Sequence, residues 1–203
     1  MGVIYPRNVL APPQLSSRIT PTQTLPHRGG GLPEAAMNVN GRLMRTIWLA
    51  EDGRSVEIID QTKLPYELVI VRLTGLDEAA RAIADMQVRG APLIGAAAAY
   101  GMALAVADDP SDAGIEHAAA VLAATRPTAV NLAWALTEMR RALIELPPER
   151  RLAAALARAT AIADEDVAIN RAIGEHGLPL IRAAFAAKGE SNGGERPVQI
   201  LTH

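Results

Sequence analysis

The run Val88-Arg89-Gly90-Ala91-Pro92-Leu93-Ile94-Gly95 constrains this chain more than any other stretch, because one helical pattern ends there and another begins. Pro92 suits the first turn of a helix, where its missing N–H leaves no bond unmade, and Gly90 allows a tight backbone approach just before it. Ala91, near the cap, carries no side-chain oxygen. The N–H groups of this helix start therefore lack the usual Ser, Thr or Asp acceptor and stay free for a ligand. The positive end of the helix dipole favours an anion there, and Arg89 adds a guanidinium able to clamp it with two parallel bonds. A phosphate is the expected guest.

A second stretch, Thr125-Arg126-Pro127-Thr128-Ala129-Val130-Asn131-Leu132, repeats the plan: proline near the first turn of a helix and arginine directly before it. Pro127 biases Arg126 to an extended backbone, which projects the side chain away from the helix and toward a shared ligand. On composition and spacing alone, each arginine can equally be a solvated residue beside a proline-initiated helix.

Around these two starts the pattern is mainly helical. Residues 1 to 43 carry scattered Pro, Gly, Ser and Thr without sustained periodicity and read as a disordered extension. Either Met44 is the natural first residue and the upstream stretch is a misplaced start, or the extension is a true flexible arm. From Thr46 to Leu49 and from Val56 to Ile59 the chain reads as two strands around an Asp52-Gly53 turn. A third strand is expected over Tyr66 to Leu73, which is rich in β-branched residues.

Thr74 and Asp77 have capping-box spacing for a helix that runs into Arg89. Further helices are expected from Pro92 to about Val106, from Asp112 to Ala124 and from Thr128 to Leu146. Two more follow, over 149 to 172 and 177 to 188, with His176-Gly177 as the terminus between them. Lys188 to Glu195 reads as a linker-like loop, and Val198 to Thr202 as the first strand of a further α/β domain. The fold class is thus α+β over 44–188, a small antiparallel sheet plus a mainly helical body, followed over 189–203 by a linker and a lone strand.

Composition excludes several functions. Apolar residues make up 49% of the 203, with alanine the commonest of them, and aromatics only 3%, so the core must rely on closely approaching small-residue helices. A net charge of −2 leaves no electrostatic footprint for nucleic acid or an anionic membrane. The apolar run Ile94 to Val106 is shorter than the about 20 residues a bilayer span needs. No signal-peptide pattern opens the chain, and a cytoplasmic protein is expected.

Zero cysteines exclude disulfides, thiolate metal sites and a cysteine nucleophile within these residues. His27, His117, His176 and His203 show no metal-ligand spacing, so no metal is expected. The acidic run Asp164-Glu165-Asp166 reads as a solvated helix face rather than an acid/base pair. Trp134 and Met139 read as core or interface residues. Gly90, Gly95 and Gly101 do not have the spacing of a dinucleotide-binding loop, and no Walker-type sequence occurs.

Six segments together resemble the methylthioribose-1-phosphate isomerase family. They are Met44-Arg45-Thr46-Ile47-Trp48, Ile59-Asp60-Gln61-Thr62-Lys63-Leu64-Pro65, Val88 to Gly101, Thr125 to Leu132, Asp164 to Asn170 and Ile200-Leu201-Thr202-His203. The Arg-Gly-Ala-Pro run alone would also fit ribose-1,5-bisphosphate isomerase and the regulatory subunits of the translation-initiation guanine-nucleotide exchange factor.

The resemblance implies an N-terminal sheet-plus-helices domain followed by a Rossmann-like domain, with a sugar phosphate held between them, a homodimer and no cofactor. It implies that Arg89, Gly90, Ala91 and Arg126 bind substrate. The reaction it implies turns 5-methylthioribose 1-phosphate into 5-methylthioribulose 1-phosphate, through an enediol or a hydride shift. Its catalytic cysteine, directly after the Thr-His pair, and its catalytic aspartate lie beyond His203. The chain is therefore expected to be a truncated, inactive N-terminal portion, arising by frameshift, by misassigned gene boundaries or by design. A non-catalytic regulatory subunit is the alternative.

Overall fold

The computed structural model describes residues 37–39, 42–188 and 198–201. Two short strands, β1 (Met37–Val39) and β2 (Arg42–Met44), pair antiparallel with Val39 opposite Arg42. This hairpin begins inside the stretch for which no regular element was expected; residues 1–36 of that stretch lie outside the described residues.

The Asp52-Gly53 turn is where the sequence predicts it. It joins β3 (Ile47–Leu49) to β4 (Val56–Ile59), and β5 (Ile70–Leu73) completes an antiparallel sheet of order β3-β4-β5. Asp52 organises the turn through its carboxylate, which accepts the Arg54 and Ser55 N–H groups, each at 2.8 Å, and the Ser55 hydroxyl at 2.5 Å. Those bonds hold its pKa down at about 2. One face of the sheet buries Ile47, Val56, Ile58 and Leu73. On the other, Trp48, Glu57 and Arg72 lie in register, with Trp48 Nε1 donating to Glu57 at 2.8 Å and Arg72 Nη2 at 2.7 Å.

The third strand is shorter than expected, because Tyr66 to Val69 are not in it. Buried Asp60 accepts the Thr62 N–H at 2.9 Å and hydroxyl at 2.6 Å, and the Tyr66 and Glu67 N–H groups turn back onto the Lys63 carbonyl. Side-chain capping of a turn wins here over β propensity.

Helix α1 (Leu76–Ala84) starts one residue later than the capping-box reading assumed. With Gly75 as N-cap, Glu78 rather than Asp77 occupies the third helical position, and its carboxylate accepts the Thr74 N–H at 2.6 Å and hydroxyl at 2.8 Å. The helix stops at Ala84 instead of running into Arg89. Met86 takes a left-handed backbone with φ +60°, and the Val88 N–H closes back on Ala82.

Helix α2 (Ala91–Asp108) is the centre of the body: it is apolar all round and buried from Ile94 to Val106. It meets the criterion of length and apolarity for a membrane span, yet most of that window is covered by its neighbours in the same body. Around it pack α1, α3 (Asp112–Thr125), α4 (Val130–Leu143) and α5 (Pro148–Lys188). Gly101 is what lets α1 and α3 close on α2, since a Cβ there would lie 3.1 Å from both Ala79 and Leu122. Met139 is fully buried, whereas Trp134 is half exposed.

Arg151, unremarked in the sequence, ties the loops together. Its guanidinium is buried and donates to the carbonyls of Leu146, Pro110 and Ile144 at 2.8, 2.7 and 3.2 Å, and it pairs with Asp112. The two expected C-terminal helices are one: α5 continues through His176 and Gly177 with Pro179 inside it. Local breakers lower helix stability, but here they do not end the hydrogen-bonded run. Val198–Leu201 is not a strand among the described residues, and Leu201 is fully exposed; a strand needs a neighbouring strand to satisfy its backbone. Of the expected linker, Lys188 is the last residue of α5, and residues 189–195 lie outside the described residues.

Candidate functional site

Helix α2 begins where glycine is needed. Gly90, its N-cap, has φ +94°, a region that side-chain-bearing residues rarely adopt. The first intrahelical bond runs from the Ile94 N–H to the Gly90 carbonyl at 3.0 Å. The Ala91 and Leu93 N–H groups lie ahead of that bond, and Pro92 has none to offer.

Arg126 closes α3 with φ −146° and ψ 80°, out of the helical region as expected before proline but short of a fully extended backbone. Pro127 itself does not open α4. It lies in a turn closed by the Ala129 N–H on the Arg126 carbonyl at 3.0 Å, and α4 starts after Ala129. The turn intervenes because Ala129, not Thr128, is the N-cap.

The two starts are brought side by side by Gly95. A Cβ at that position would sit 3.0 Å from the Asn131 carbonyl oxygen, so the first turns of α2 and α4 touch backbone to backbone. Between them opens a cavity of about 590 Å³, lined by Met86, Arg89, Gly90, Ala91, Ile94, Arg126, Thr128, Ala129, Val130 and Asn131. All four residues predicted to bind substrate thus lie on one cavity. Thr128 and Asn131 belong to the stretch singled out in the sequence, but nothing there marked them as lining residues. The same holds for Ile94, Ala129 and Val130, whereas Met86 lies outside both stretches and reaches the cavity only through the packing of the helix pair.

The electrostatics of the cavity are one-sided. Neither α2 nor α4 has an acidic residue in its first turn or a side-chain cap, whereas α1 has Asp77 and Glu78, α3 has Asp112 and the Ser111 cap, and α5 has Glu149. No carboxylate lines the cavity. Arg45, Arg72, Arg140, Arg141, Arg151 and Arg158 are held in ion pairs. Arg89 and Arg126 have no ion pair or side-chain hydrogen bond among the described residues. Two guanidinium groups without a partner among the described residues, beside two uncapped helix starts, are an arrangement chemically suited to an anion. Met86, on its rim, holds a backbone conformation that disfavours an L residue by roughly 1 kcal/mol.

The acidic run on α5 does not form a second site. Asp164 pairs with Arg45 at 2.6 Å, Glu165 with Arg158 at 2.7 Å, and Asp166 accepts from Asn170 at 3.1 Å. A smaller cavity of about 210 Å³ borders this run but contains none of the predicted site residues.

Residues 87–203 match the sequence pattern of the initiation factor 2 subunit family. The methylthioribose-1-phosphate isomerase of Paramagnetospirillum magneticum is 60% identical over 167 residues, which are 82% of this chain and 44% of that protein. A protein from the petC 3′ region of Rhodospirillum rubrum is 57% identical over 82% of this chain and 91% of its own length. Among solved structures, the 5-methylthioribose 1-phosphate isomerase of Pyrococcus horikoshii superposes with a TM-score of 0.56 at 38% identity, covering 61% of this chain and 37% of that one. Subunit delta of translation initiation factor eIF-2B from A. fulgidus gives 0.61 at 38% identity, covering 67% and 41%. The chain spans less than half the length of the isomerase relatives it matches.

Proposed function

The chain belongs to the initiation factor 2 subunit family, and from that premise we propose that it is the substrate-holding portion of a methylthioribose-1-phosphate isomerase, an aldose–ketose isomerase of methionine salvage. The observation that carries this reading is the single cavity lined by two uncapped, acid-free helix starts, each with an unpaired arginine. In the proposed complex Arg89 and Arg126 supply fixed positive charge to the phosphate of 5-methylthioribose 1-phosphate. The Ala91 and Leu93 N–H groups donate to its oxygens, and Gly90 lets the backbone come close enough for them to do so.

Conversion to 5-methylthioribulose 1-phosphate requires ring opening and a hydrogen shift between C1 and C2, hence groups that move protons. The resemblance assigns these to a cysteine and an aspartate that are not among the 203 residues, which contain no cysteine. Binding without turnover is therefore expected. By the same resemblance, residues 198–202 open a Rossmann-like domain, and the working protein is a cytoplasmic homodimer without a cofactor.

The second reading, a non-catalytic regulatory subunit, is favoured by the likeness to eIF-2B subunit delta. Ribose-1,5-bisphosphate isomerase shares the Arg-Gly-Ala-Pro start. Calorimetric titration of the chain with 5-methylthioribose 1-phosphate tests the proposal. Arg89→Ala and Arg126→Ala should each weaken binding about tenfold or more, since a charge-assisted bond contributes about 1.5–3 kcal/mol. Unchanged affinity in both variants would falsify the placement of the phosphate, and turnover by the unaltered chain would refute the assignment of the proton-moving groups.

A further inference from the structure

Met86 is the one non-glycine with positive φ among the described residues, and it lies on the rim of the cavity. Three bonds to the end of α1 set that conformation: Asp85 N–H to the Arg81 carbonyl at 2.8 Å, Met86 N–H to Ile83 at 3.3 Å and Val88 N–H to Ala82 at 3.2 Å. Glycine or asparagine would take this position without strain, as at most helix ends of this kind. A bulky residue kept in a disfavoured backbone conformation at a cavity points to a use for its side chain. Packing is not the whole of that use, because Met86 remains 43% exposed.

The lining divides by chemistry. Arg89, Arg126, Thr128 and Asn131 are charged or polar, while Met86, Ile94, Ala129 and Val130 offer only apolar surface. A ligand that fits so mixed a lining carries both an anion and an apolar group. We infer that Met86 is a specificity residue whose thioether side chain forms the wall for the C5 alkylthio group of a sugar 1-phosphate. This rests on the reading of the cavity as a phosphate site. A flexible, polarisable thioether adapts to such a group. A C5 hydroxyl would lose its hydrogen bonds to water against that wall, and a C5 phosphate would meet no counter-charge there.

The test compares three probes on the 203-residue chain by calorimetry: inorganic phosphate, ribose 1-phosphate and 5-methylthioribose 1-phosphate. The unaltered chain should prefer the methylthio compound to ribose 1-phosphate by about tenfold or more. Met86→Gly should bring the two within about twofold of each other, with inorganic phosphate, which has no C5 group, as the reference. A merely structural Met86 predicts a lower melting temperature in Met86→Gly, whereas relief of the backbone predicts an equal or higher one. Met86→Asn, which also suits a left-handed backbone, should lose the preference too, and Met86→Leu should keep it. Survival of the preference in the glycine and asparagine variants overturns the inference, as does its absence from the unaltered chain. If inorganic phosphate and both sugars fail to bind, the phosphate reading falls together with it; if phosphate binds without C5 discrimination, only the inference on Met86 falls.

Discussion

Gly95→Ala is the substitution that most directly probes how the cavity is built. The added methyl would sit 3.0 Å from the Asn131 carbonyl oxygen, 3.4 Å from its carbonyl carbon and 3.6 Å from its Cβ. A contact that tight is relieved only if the first turn of α4 retreats by a few tenths of an ångström. Two terms then oppose each other in stability. Alanine is better than glycine inside a helix by about 0.5–1 kcal/mol, while forcing a methyl into a filled space costs about 1–3 kcal/mol. The net loss should be about 1 kcal/mol.

The larger effect should fall on ligand binding. A shift of a few tenths of an ångström moves Arg126 and the α4 start away from Arg89 and the α2 start, which spoils the alignment of one charge-assisted bond. At about 1.5 kcal/mol for such a bond, affinity for 5-methylthioribose 1-phosphate should drop about tenfold. Calorimetric titration and a thermal melt on the same preparation measure both terms. Gly101→Ala is the matched control: its Cβ would be as crowded, 3.1 Å from Ala79 and Leu122, but far along α2 from the cavity lining. It should lower the melting temperature without touching affinity. Equal affinity in Gly95→Ala and the unaltered chain, within about twofold, would refute the claim that backbone contact at this glycine sets the spacing of the two starts.

Arg151→Met should destabilise the fold by about 3 kcal/mol, because it strips the hydrogen bonds from three loop carbonyls and the pairing from Asp112 while keeping the aliphatic stem. Denaturant unfolding measures this, and a change under about 1 kcal/mol would remove Arg151 from its role as a tie between loops. The Asp52 carboxylate, with its pKa lowered from 3.8 to about 2, is a group whose folded value is depressed, so its support of the β3–β4 turn is fully present above about pH 4 and is lost as the pH falls toward 2. The Arg54 and Ser55 amide resonances should follow that titration, and a midpoint near 4 would contradict the bonding seen at the turn.

Much of this protein follows from short-range pattern. Asp52-Gly53 between two apolar runs specifies the β3–β4 hairpin, and Gly90-Ala91-Pro92 specifies an uncapped helix start, because each depends on chemistry within one turn of chain. The four residues expected to meet a phosphate needed no more than that. Where local signals compete, the outcome was not legible: a turn closed on the Lys63 carbonyl takes Tyr66 and Glu67 out of β5, the N-cap at Gly75 makes Glu78 rather than Asp77 the capping acid, and α5 runs on through Gly177 and Pro179. The Asn40-Gly41 pair between β1 and β2 was a usable hairpin signal in a stretch read as featureless.

Other features belong to the tertiary structure alone. That Arg89 and Arg126 share one cavity, that Met86 reaches its rim, and that Arg151 gathers carbonyls from two loops all depend on how closely helices distant in sequence approach. Sequence periodicity determines which face of a helix is buried, but not the distance or register at which two such faces meet. Here a glycine opposite a backbone carbonyl decides it, and only the packed structure reveals which glycine that is.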